Sequence, residues 1–89
     1  MASERREAGT AAAVGARVVV AVYEHKHGVD VRAFQSEAGA RTWRCEIAER
    51  WWDAEFDAER PTQWDIGQAY FESIEGEYFT VHELEVVAA

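Results

Sequence analysis

Cysteine, proline and methionine each occur once in the 89 residues; leucine is confined to Leu84, and isoleucine to Ile47, Ile66 and Ile74. A lone Cys45 excludes an intramolecular disulfide and fits a reduced, cytoplasmic setting. With so few long aliphatic side chains, a core must be built from valines and aromatics, and a chain this short buries only roughly 60% of its unfolded surface. No apolar run approaches the roughly 20 residues of a membrane span. Gly-rich phosphate loops, G-x-S-x-G, C-x-x-C and basic patches interleaved with aromatics are also missing, so neither catalysis nor a cofactor is expected.

Positive charge is the other scarcity. The formal net charge is −8, and from Cys45 onward the chain holds twelve of its seventeen acidic residues but only two of its nine basic ones, Arg50 and Arg60. Such an excess repels nucleic acid and anionic membranes at long range and points to a basic protein surface as partner. Trp43, Trp51, Trp52, Trp64, Tyr70 and Phe71 lie among these acids, too apolar a setting for a disordered tail, so a folded domain displays the carboxylates.

Residues 1–16, rich in Ala and Gly and without periodicity, read as a flexible leader, and residues 17–89 as one domain. Arg5 and Arg6 before small residues suggest an export signal, but Glu7 and Arg17 interrupt the pattern. From Arg17, two β-branched runs flank His25, Lys26, His27 and Gly28, which predicts a β-hairpin. Val18, Val20 and Val22 occupy one face of the first strand and Val19, Ala21 and Tyr23 the other. The first set is expected inward, which leaves Val19, Tyr23 and Phe34 on a second, open face.

Ser36 offers an N-cap to a helix from Glu37 to about Ala54, with Ala40, Trp43, Ile47, Trp51 and Ala54 as its buried stripe and Trp52 between the faces. Glu37 with Arg41 and Glu46 with Arg50 are i, i+4 pairs of favourable order. Pro61 interrupts the helical pattern. Thr62 and Asp65 then match a capping box for a second helix with Ile66, Tyr70 and Ile74 inward and Gly76 as C-cap. The tail EYFTVHELEVV reads as a closing strand with Leu84 and Val86 inward; Phe79 and Val81 fit the opposite phase, suggesting a bulge near His82. The expected fold is α+β: a two-layer ββααβ sandwich with a three-stranded antiparallel sheet in order 2-1-3 and both helices on one face. Its expected core is Val20, Val22, Val31, Trp43, Ile47, Trp51, Ile66, Tyr70, Ile74, Leu84 and Val86.

Three residue sets could carry chemistry. His25 and His27 form an H-x-H pair that, with His82, would bind zinc only if the third imidazole converged, and a tight turn removes the required geometry; no metal is expected. Cys45 beside Glu46 and Glu49 lacks the electropositive setting of a nucleophile. The crowded acids Asp53, Glu55, Asp57 and Glu59 lie in a solvated link, where no carboxyl is desolvated enough to act as a general acid.

The acidic face is then the strongest feature. Glu46, Glu49 and Asp53 span roughly 10 Å of helix, along which duplex DNA shows about six phosphates. With Asp57, Asp65, Glu72 and Glu75 they are the expected partner-binding residues; the plain alternative is a solvated surface that keeps the chain soluble. The segments YEHKHGVDV, the Trp51–Trp52 pair and EYFTVHELEV resemble small proteins carried by phages and mobile elements of GC-rich bacteria. Over residues 17–87 the chain is similar in size, acidity and single-domain layout to phage anti-CRISPR proteins, including acidic inhibitors of type I systems. The resemblance carries over no functional residue. It implies an inhibitor that blocks the basic DNA or guide channel of a CRISPR effector complex, and it joins charge in suggesting DNA mimicry. The alternative is an acidic antitoxin-like or assembly partner, or a homodimer, that docks through the open apolar sheet face.

Overall fold

A computed structural model describes residues 14–88; residues 1–13, most of the expected leader, lie outside the described residues. The element order is β1 (Arg17–His25), β2 (Gly28–Phe34), α1 (Glu37–Glu55), α2 (Ile66–Ser73) and β3 (Tyr78–Glu85). The sheet runs β2-β1-β3 with both pairings antiparallel. This is the α+β ββααβ arrangement read from the sequence.

The hairpin closes through Lys26 and His27, with His25 opposite Gly28. Gly28 has φ 138°, in the region that L side chains rarely adopt. Pairing of β3 with β1 is continuous from Arg17 opposite Glu85 to Glu24 opposite Tyr78, so the bulge expected near His82 does not form. Beyond it, the Gly15 N–H donates to the Val86 carbonyl at 2.7 Å and the Val86 N–H to Ala16 at 2.9 Å.

The phase of the sheet is opposite to the expected one. Val19, Ala21 and Tyr23 are buried under the helices with Phe34 and Phe79 packed beside them, whereas Val20 and Val22 are half-buried on the other face, where Val31 is 60% and Leu84 50% exposed. Because side chains alternate with period two, one choice inverts the whole sheet. Aromatic residues decide it, since each buries about 150–250 Å², and the odd-numbered face of β1 collects Tyr23, Phe34 and Phe79 around Trp43. Ala21, fully buried, keeps this aromatic layer close to the strand. Gly39 contributes similarly: a Cβ there would lie 2.7 Å from Phe34 Cδ1, so only glycine lets that ring fold in against α1.

Helix α1 serves two neighbours. Ala40, Trp43 and Ile47 meet the sheet, while Ala48 and Trp52 meet Ile66 and Tyr70 of α2. The single stripe expected through Trp51 is therefore corrected: Trp51 is 42% exposed, and Trp52 is buried. By that turn of α1 the second neighbour is α2, which takes the side bearing residue 52. Trp52 packs on Phe56 with centroids 4.6 Å apart, and its indole N–H donates to the Ala58 carbonyl at 2.9 Å. Phe71 joins the two clusters by contacting Tyr23, Phe79 and Tyr70.

Helix α2 is shorter than expected at both ends. The Thr62 hydroxyl donates to the Asp65 carboxylate at 2.8 Å, and residues 63–65 form a turn in place of a capping box. At the other end Ile74 is already extended and Gly76, at φ 82°, lies in the turn into β3. Ile74 and Val86, both expected in the core, are half-buried. The Ser36 position is the N-cap of α1 as expected, though its side chain makes no capping hydrogen bond.

The two adjacent tryptophans separate these readings. Trp52→Ala should destabilise the fold by about 3–5 kcal/mol, and Trp51→Ala by about 1 kcal/mol or less. Urea unfolding of both variants checks this, and equal losses would contradict the observed rotation of α1.

Candidate functional site

The helical layer carries the expected partner-binding carboxylates. Glu46, Asp53, Asp57, Asp65, Glu72 and Glu75 are exposed and Glu49 is half-buried. They are not a uniform anionic row. Arg60 donates from Nε to Asp53 Oδ1 and from Nη2 to Oδ2, both at 3.3 Å, and Nη2 also reaches the Glu49 carbonyl at 2.9 Å. Asp53 is thus partly neutralised by a residue seven positions later, beyond the end of α1, a pairing that helical spacing could not reveal. Glu72 accepts a hydrogen bond from Gln68 at 2.9 Å. The Glu37–Arg41 pair forms at 3.5 Å, but the Arg50 guanidinium lies over Trp51, 5.4 Å from the ring centroid. Glu46 and Glu49 line a groove with Arg41, Arg44 and Trp64, the last 79% exposed. Asp57, Asp65, Glu72 and Glu75 line neither this groove nor the cleft described next.

A cleft of about 480 Å³ lies between the hairpin tip and α1. Signs of charge mix along it. His25 Nε2 lies 3.0 Å from Asp30 Oδ2, and His25 Nδ1 accepts the His27 N–H at 3.2 Å. Arg32 lies over the Trp43 ring at 4.6 Å, while Glu46, Glu55 and Glu77 supply carboxylates. His82 belongs elsewhere: paired with Val20, it sits on the open sheet face, so the three histidines do not converge. Among the described residues no group of three His, Cys, Asp or Glu side chains is placed to hold a metal ion. Cys45 is half-buried against the Trp52–Ile66–Tyr70 cluster.

Sequence reasoning missed Glu77. Its Oε1 accepts the Tyr23 hydroxyl at 2.9 Å and the Tyr70 hydroxyl at 3.0 Å, which ties β1 to α2 beside the cleft that Tyr23 and Glu77 line. Burial, and then the hydrogen bond to the Glu77 carboxylate, push both phenols far above their ordinary range and hold them as neutral donors. The signal was weak: the glutamate follows Gly76 outside any helix, and only the folded chain brings it to two tyrosines separated by nearly fifty residues.

The third surface is the open face of the sheet. Val18, Val20 and Val22 run along its centre, flanked by Val29 and Val31 on one side and Leu84 and Tyr78 on the other. Val29 and Tyr78 are 58% and 60% exposed. The apolar open face expected from the sequence is present, but its residues are the even-numbered set of β1; Val19, Tyr23 and Phe34 belong to the core. No described helix is long and apolar enough to cross a membrane. No family model, curated protein or solved structure matches the chain.

The tyrosine clamp gives the fold an alkaline limit. Both phenols have folded-state pKa values above the unfolded value near 10, so their stabilisation is complete below about pH 10 and is lost as pH rises beyond it. Urea midpoints measured from pH 8 to 11.5 should fall above pH 10 in the wild type, and fall less steeply in Tyr23→Phe and Tyr70→Phe. Parallel profiles for all three proteins would contradict the clamp.

Proposed function

We propose that this chain is a non-enzymatic binding protein whose carboxylate-bearing helical layer covers a basic, nucleic-acid-binding surface of another protein. The observation that carries this reading is the exposure of six of its seven candidate carboxylates on helices and links while the sheet face opposite stays almost free of charge. A CRISPR effector complex in the cytoplasm, the host's for a phage-encoded chain, is the target class that fits the sequence resemblance. Exposed carboxylates stand in for phosphates there, and the protein competes with DNA. Because Asp53 already answers to Arg60, the carboxylates most available to a partner are Glu46, Glu49, Asp57, Asp65, Glu72 and Glu75. A second reading, an antitoxin-like or assembly partner, takes the open sheet face as its working surface; the exposed Val29, Val31 and Leu84 favour it.

The test is a titration of duplex DNA binding by type I effector complexes with the wild-type protein and with two charge-reversed variants, Glu46→Lys with Glu49→Lys and Glu72→Lys with Glu75→Lys. Exposed ion pairs contribute up to about 1 kcal/mol each, and a double reversal removes two attractions and adds two repulsions of similar size, so each should weaken inhibition by about tenfold with an unchanged circular dichroism spectrum. Inhibition should also fall steeply as salt rises through 0.15 M, where screening limits the interaction to about 8 Å. Failure of the wild type to displace DNA rejects the effector as target, and equal inhibition by all three proteins rejects the acidic face.

A further inference from the structure

We infer that the open sheet face is the interface of a homodimer in which two copies stack sheet against sheet and turn their helical layers outward. Every even-numbered position of β1 from Val18 to Glu24 lies on this face with its cross-strand partners. Among those eleven paired positions only Glu24, at one edge, is a carboxylate, and only His82 is a further ionisable side chain besides the phenol of Tyr78. For a chain of net charge −8, this is where a second copy meets least repulsion. A basic nucleic-acid-binding partner finds only the Glu24 carboxylate of opposite charge on it.

Shape and area agree. Val18 to Glu24 spans about 20 Å, and three strands about 14 Å, which gives roughly 300 Å² in projection. With side-chain relief that is roughly 500 Å² of accessible surface per copy and about 1,000 Å² for the pair, the lower bound of a specific interface. The valines of β1 and β2 present short, stiff side chains, and sheets stacked about 10 Å apart interlock such surfaces. A two-fold contact lets the same patch serve both copies and closes the assembly at two. An interface this small makes the dimer dissociate on dilution. The inference is independent of whether the helical carboxylates bind a basic partner.

Sedimentation equilibrium of the full chain tests it. The wild type should move from the 10.1 kDa monomer mass toward twice that value as concentration rises into the hundreds of micromolar. Val31→Glu and Leu84→Glu replace side chains already 60% and 50% exposed, so they leave the core intact, and each places like charges across the contact. Both should remain monomeric at the highest concentration, with wild-type circular dichroism. A wild type that stays monomeric overturns the inference. So does a dimer that persists in both variants, which would use another face. A wild-type monomer that dimerises only after removal of residues 1–13 also overturns it, assigning the face to that segment.

Discussion

Everything in this fold follows from which way β1 faces. Its two sides are both apolar, and burying the odd-numbered one sends Tyr23 inward with Phe34 and Phe79. Those rings, with Trp43 and Phe71, form a chain of contacts at centroid distances between 5.4 and 6.4 Å that joins all three strands to both helices. Aromatic pairs in such tilted and edge-to-face arrangements contribute beyond their buried area. The opposite phase would bury valines and one leucine and leave the rings in water. In a chain so poor in Leu and Ile, that exchange forfeits most of the available apolar burial.

The same choice separates the molecule's surfaces by physical character. Helices cover the aromatic side and carry the carboxylates, so the acidic layer and the neutral valine face are on opposite sides of one thin sandwich. Tyr23 and Tyr70 meet on Glu77 where the layers join, and burial with the bond to its carboxylate keeps their phenols protonated. Arg60 folds back on the Asp53 carboxylate and the Glu49 backbone carbonyl and locally offsets the charge of Asp53. The acidic layer along the helices is thus punctuated by arginines.

Much of this could be read from residue order. The hairpin was legible from two β-branched runs about a Gly28 turn, α1 from three- and four-residue spacing, and the link from Pro61. The 2-1-3 sheet order followed because a third strand of this length needed the free edge of the first. The candidate carboxylates were legible too, since charged side chains on helical faces and links are exposed almost by default. Phase was not legible on β1 alone, because its alternation is apolar in both registers and the aromatic partners Phe34, Phe79 and Trp43 that decide it come from other elements. Phe79 and Val81 carry the correct phase of β3, whereas Leu84 and Val86 fit the opposite one, and only a bulge could have buried both sets.

The sequence by itself determined composition, charge asymmetry, element order and the existence of an apolar second sheet face, because each depends on local periodicity or on sums over residues. Tertiary structure alone decided that the face is made of Val18, Val20, Val22, Val29, Val31 and Leu84, that Trp52 and not Trp51 is buried, and that Glu77 and Arg60 find distant partners. These outcomes depend on which elements meet. Side-chain volume and hydrogen-bond geometry across the packed layers fix them, and neither is encoded in the spacing of neighbours along the chain.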